Sequence, residues 1–190
     1  MGSVIVSMTN NINMFLKNIG SALKYLRKEK NINAKSIYET IEITPTYYSK
    51  LENTSKYRVS MFIYLDISRY LEVPFSSILK RVETSNEDHQ LLSKTDNKIP
   101  LNNKVLTTNI CNEFFKIRKS KGYTQRYVAQ LMGVTAKYYN DIELGNYLST
   151  SLYRYKEVAL GLNTPLYEIV EKAEYATINE LESKNTKKDS

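Results

Sequence analysis

The groups best placed to do chemistry sit in two short stretches, TPTYYSKLENT (Thr44 to Thr54) and TAKYYNDIELG (Thr135 to Gly145). Each sets hydroxyl, amide, ammonium or carboxylate side chains around a pair of tyrosines. Neither holds a nucleophile beside a base, nor a set of metal ligands, so the chemistry on offer is recognition. At about 100° per residue, with Tyr139 set to zero, Ile142 and Ala136 fall within about 60° of it and turn inward. Lys137 and Asp141 fall on the far side, at about 160° and 200°, flanked by Asn140 and Tyr138. The same projection puts Tyr48 and Leu51 inside, with Thr46 and Lys50 outside. Such outer faces carry donors and acceptors suited to base edges and phosphates. Lys137 and Asp141 have a second use open to them: pairing with each other on a solvated helix.

Composition agrees with recognition of a polyanion. Lysine and arginine number 27 against 20 acidic residues, a net charge of +7 over 190 residues. One cysteine, Cys111, excludes an intrachain disulfide, and one cysteine with one histidine, His89, does not make a zinc site of the usual type. No glycine-rich phosphate loop or nucleophile–base pair appears, so neither enzyme activity nor a cofactor is expected. No apolar run reaches transmembrane length, and the start MGSVIVSMTNN lacks a signal pattern. The expected setting is cytoplasmic, without membrane contact. No separate effector domain is visible, so no small-molecule effector is expected.

Displacing the chain by 91 residues (Ile19 onto Ile110) lays one half on the other. Arg27, Lys28 and Lys30 fall on Arg118, Lys119 and Lys121. Thr44, Tyr47, Tyr48 and Glu52 fall on Thr135, Tyr138, Tyr139 and Glu143. Ser60, Tyr64, Leu71, Pro74 and Ile78 fall on Ser151, Tyr155, Leu162, Pro165 and Ile169. A period this long marks a duplicated domain rather than a solenoid. The expected chain is all-α: a first copy over residues 12–83, a polar linker over 84–106 and a second copy over 107–183. In the second copy, Ile110, Phe114 and Ile117 line one face of a first helix that Gly122 ends. Thr124 caps a second helix, Gly133 supplies a left-handed turn, and Thr135 caps a third that Gly145 closes. Ser151 opens a fourth, and Pro165 sits in the first turn of a fifth.

With TQ opening the second helix, GVT at the turn and IE.G closing the third, residues 110–170 resemble the lambda-repressor/Cro-like (XRE-type) helix-turn-helix family. IGSALKYLRKEKNI in the first copy resembles that family's first helix. The resemblance implies two tandem five-helix lambda-repressor-like domains and double-stranded DNA as partner. It implies that Gln125 holds a phosphate and buttresses the recognition helix, and that Ala136, Lys137 and Asp141 read bases. It also implies a partly buried ion pair, Arg118 with Glu143, repeated as Arg27 with Glu52. Arg126, Thr135, Tyr138 and Asn140 complete the expected DNA-facing set of the second copy. Lys35, Thr44, Thr46, Tyr47, Ser49, Lys50, Lys56 and Arg58 make that of the first. The first copy departs from the pattern: Ala34 replaces the glutamine, Glu42 the turn glycine, and Asn53-Thr54 replaces Leu144-Gly145. If Glu42 keeps left-handed geometry, the strain is on the order of 1 kcal/mol.

The expected function is a sequence-specific double-stranded DNA-binding transcription regulator. The alternative is a protein-interaction module, an antirepressor or decoy on the same fold, favoured by the altered turn at Glu42. Tyr47 and Tyr138 either touch phosphates or pack on neighbours. RKEK and RKSK, closing the first helix of each copy, read as solvated charge. Cys111 aligns with Gly20 and reads as a small helix residue, not a redox sensor, while His89 reads as an inert linker residue. Leu91-Leu92 reads as a short docked turn if the linker has any order. The stripe Leu166, Ile169, Val170, Ala173, Thr177 and Leu181 either docks on its own domain or makes a homodimer contact. The final NTKKDS reads as frayed.

Overall fold

The computed structural model describes residues 2–53, 58–84, 99–100, 102–147 and 149–186. The first copy holds α1 (Gly2–Glu29), α2 (Ala34–Thr40), α3 (Pro45–Asn53), α4 (Met61–Tyr70) and α5 (Phe75–Thr84). The second holds α6 (Asn103–Ser120), α7 (Gln125–Leu131), α8 (Ala136–Glu143), α9 (Leu152–Gly161) and α10 (Leu166–Thr186). Polar side chains start these helices as the sequence suggests: Thr124 and Thr135 accept from the N–H groups of Tyr127 and Tyr138, and Thr44 does the same for Tyr47. Ser151 sits at the head of α9 but makes no side-chain cap bond.

Helix α6 starts earlier than expected. Asn102 accepts from Val105 N–H, so Asn103 to Leu106 form its first turn instead of ending the linker. Residues 85–98 of the linker, with His89 and Leu91-Leu92, and Leu101 lie outside the described residues, as do Thr54, Lys56 and 187–190.

The two copies form an isologous seam, in which the backbone bridge and the helix-capping contacts recur with their partners exchanged. Ser60 and Ser151, equivalent under the displacement of 91, make an antiparallel bridge. Met61 N–H donates to Thr150 O (3.0 Å) and Leu152 N–H to Val59 O (3.1 Å). Helices α5 and α10 pack together through Phe75, Ile78 and Leu79 on one side and Leu166, Ile169, Val170 and Ala173 on the other, all fully buried or nearly so. Each helix also carries a glutamate that caps the other. Glu83 of α5 accepts from the N–H groups of Leu166 (3.2 Å) and Tyr167 (2.7 Å). Glu174 of α10 accepts from those of Phe75 (2.9 Å) and Ser76 (3.3 Å), and from the Ser76 hydroxyl. A carboxylate at a helix N-terminus satisfies open donors and meets the positive end of the dipole.

This seam accounts for the C-terminal stripe. Leu166, Ile169, Val170, Ala173 and Thr177 are buried against α5 and α6 of the same chain, and Leu181 is half-buried. A homodimer through those buried residues is therefore not available: the fused copy already covers them.

Charge breaks the symmetry. The Lys156 ammonium pairs with Glu83, whereas the position equivalent to Lys156 is Leu65. Burial pushes the Glu174 carboxyl up to about 7, against the pull of hydrogen bonds from Ser76 and Phe75 and with help from nearby Glu171. Between pH 4.5 and about 7 the folded chain then holds a proton that the unfolded chain has lost, so stability falls as pH rises through that window. The loss should be on the order of 3 kcal/mol. Urea unfolding across this range should show that decline, and Glu174→Gln should remove that part of it; identical pH slopes in the two proteins would refute the assignment.

Candidate nucleic-acid interface

Helix α8 is held from behind by one buried carboxylate. Glu143 accepts from Arg118 Nε (2.5 Å) and Nη2 (2.9 Å), from Gln125 Nε2 (2.9 Å) and from the Tyr139 hydroxyl (2.8 Å). Burial alone would raise the Glu143 carboxyl, but the hydrogen bonds from Arg118, Gln125 and Tyr139 outweigh it and leave it below its usual range. Arg118 Nη1 also donates to Tyr123 O, which ties the turn after α6 to the same cluster. Gln125 Nε2 donates in addition to Asn140 Oδ1 (2.9 Å). The turn and the helix after it are therefore fixed by one network that reaches the edge of the outer face.

That outer face carries Thr135, Ala136 and Lys137, all exposed, with Asn140 and Asp141 half-buried beside them. The helical projection turned Ala136 inward; it is exposed because it stands in the first turn, where no preceding turn lies over it. No ion pair joins Lys137 to Asp141, whose Oδ1 accepts from Asn146 Nδ2 instead. Tyr138 packs on neighbours: its ring lies 5.5 Å from that of Tyr147, with the Arg154 guanidinium 5.5 Å away. Arg126 is exposed at the start of α7.

The first copy repeats the scaffold with fewer ties. Arg27 donates from Nε (2.8 Å) and Nη2 (3.1 Å) to Glu52, and from Nη1 to Ile32 O, the counterpart of Tyr123. Ala34 offers no amide to extend the network. Compensation comes from close approach: a Cβ on Gly20 would collide with the Leu51 carbonyl oxygen, so glycine lets α3 lie directly on α1. Cys111 takes that place in the second copy and is buried, its thiol pushed up to about 12 mainly by that burial, as suits a packing residue. Thr44, Thr46 and Ser49 are exposed on the α3 side, Lys50 and Tyr47 half-buried. Tyr47, like Tyr138, packs against the core.

Several basic residues have other occupations. Lys35 lies 3.7 Å from Glu39 in an exposed pair. Arg58 stacks on Tyr153 across the seam, 4.5 Å from the ring centre, rather than on the outer face of α3. Lys121, read as solvated, donates to Leu162 O (2.7 Å) and Asn163 O (2.9 Å) and so caps the end of α9. Arg154 escaped the sequence reading; a basic residue just inside the N-terminus of α9, next to the third helix in the chain, was its only signal.

Two substitutions test this scaffold. Arg118→Ala leaves a buried carboxylate without its cation, so urea unfolding should show a loss of about 3–5 kcal/mol; unchanged stability would reject the scaffold role. Glu42 keeps the left-handed backbone of its counterpart Gly133, with φ of 57° against 66°. Glu42→Gly should raise stability by up to about 1 kcal/mol, the released strain less the added freedom of the unfolded chain. A lower melting temperature would contradict it.

Comparison with known proteins agrees with this architecture. A helix-turn-helix family model matches twice, over residues 23–78 and 115–169. No curated protein and no solved structure matches significantly. The two matches span more than half the chain and coincide with the two sets of packed helices, so the chain belongs to the helix-turn-helix family of the XRE, lambda-repressor-like type, with two such domains in tandem.

Proposed function

We propose that this protein is a sequence-specific double-stranded DNA-binding transcription regulator in which both copies contact DNA. The observation that carries the reading is the outer face of α8. Its exposed N-terminal side chains are presented on a helix locked from behind through Glu143, and the first copy repeats the arrangement through Glu52. Lys137 is assigned to a guanine edge or a phosphate, and Asp141 to accepting from cytosine N4. Gln125 engages the Asn140 carbonyl oxygen, which leaves the Asn140 amide nitrogen to donate outward. Thr46, Ser49 and Lys50 play the corresponding parts in the first copy. Arg126 and the first-turn threonines, Thr44 and Thr135, are assigned to phosphates, which position the protein without specifying sequence.

The alternative, a protein-interaction module, drew its support from a damaged turn at Glu42. The turn keeps its geometry, and that support is gone.

Binding should weaken linearly on a log–log salt plot with a slope of roughly −4 to −8, as expected if several phosphates are neutralised. Lys137→Ala should relax base preference at about one position, at a cost of about 1–3 kcal/mol. Fluorescence anisotropy over a salt series on selected duplexes measures both. A slope near zero on every duplex would reject DNA binding, and a uniform loss across sequences would reduce Lys137 to a phosphate contact.

A further inference from the structure

We infer that a single chain of this protein reads a non-palindromic DNA site composed of two different half-sites, inverted with respect to each other and about one helical turn apart. The inference rests on the DNA-binding reading above and adds the form of the site.

The argument starts from the seam. Exchange of partners between Val59–Leu152 and Met61–Thr150, and between Glu83 and Glu174, defines a local two-fold axis close to Ser60 and Ser151. In symmetric oligomers such isologous contacts join two chains. Here they join two parts of one chain, and the surface that a second chain would use is already filled. A two-fold axis relating two helix-turn-helix units matches the two-fold axis of duplex DNA, so the half-sites run in opposite senses.

Spacing follows from the short connections. Helix α3 ends at Asn53 and α8 at Glu143, only seven and eight residues before Ser60 and Ser151. Fully extended, such segments reach about 25–29 Å. The second is far from extended, since Gly145, Asn146 and Thr150 donate back to Ile142, Asp141 and Tyr147. Both recognition helices thus stay near the axis, and the separation that fits is one turn, about 34 Å, rather than two.

Sequence then breaks the DNA symmetry. Thr46, Ser49 and Lys50 occupy the positions of Lys137, Asn140 and Asp141. A cation replaces an anion at one reading position and a hydroxyl replaces a cation at another, so the two helices cannot prefer the same bases.

The test is selection of bound duplexes from a random double-stranded library with the full chain, with the mass of the complex measured by light scattering. The expected result is one chain per duplex and a motif with unlike halves centred about 10–10.5 base pairs apart. The variant Thr46→Lys/Ser49→Asn/Lys50→Asp should then select a palindrome built from the second copy's half-site. It should lose about tenfold or more in affinity for the wild-type site. If that variant does not fold, Lys137→Ala supplies the test, because it should blur only the half-site of the second copy. A palindromic wild-type motif, a motif with one half only, two chains per duplex, or blurring of both halves by Lys137→Ala each overturns the inference and leaves DNA binding standing. Failure to retain any duplex at low salt overturns both.

Discussion

Everything in this fold depends on two carboxylates that leave their own helices to close the ends of others. Glu83 and Glu174 sit where an amphipathic helix would ordinarily show charge to water, yet each is spent on the open N–H groups of its counterpart's helix. The apolar packing of α5 on α10 is non-directional and would tolerate sliding. The caps and the short backbone bridge at Ser60 and Ser151 are directional, and they set the register. Two small cores are thereby joined into one buried cluster.

Within each half the same logic recurs at smaller scale. Arg118 and Arg27 use three nitrogens each, two on a glutamate and one on the carbonyl that follows the first helix. The planar fork of arginine suits this geometry, and lysine would not reproduce it. The copies differ in how far the network extends. In the second it includes Gln125, Tyr139 and Asn140; in the first Ala34 supplies no amide, Lys24 of α1 donates to Asn53 at the end of α3, and the backbones approach closely at Gly20. One framework is thus tied differently in its two copies.

Much of this was legible in the sequence because it is local or repeated. Helix caps, glycine turns and the inward tyrosines Tyr48 and Tyr139 follow from spacing within one or two turns, and the displacement of 91 exposes the arginine–glutamate pairs in duplicate. What was not legible spans the seam. Glu83 and Glu174 are also equivalent under that displacement, but a lone glutamate on a helix looks like a solvated charge until its distant partner is known. The destination of the C-terminal stripe was left open for the same reason, since periodicity says that a face is apolar and not what covers it. Lys121 and Arg58 show the converse error. Arg58 reads as a DNA-facing cation and Lys121 as solvated charge, yet their long side chains reach a ring and backbone carbonyls elsewhere.

Lys156 stands opposite no second lysine, because its counterpart is Leu65. In an assembly of two identical chains every substitution arrives twice, at mirrored places, and a buried ammonium welcome on one side must also be accommodated on the other. Fusion removes that coupling. Each half can drift alone, so a mildly harmful change subtracts from stability once instead of doubly, and sequences forbidden to a strictly symmetric pair become reachable in single steps.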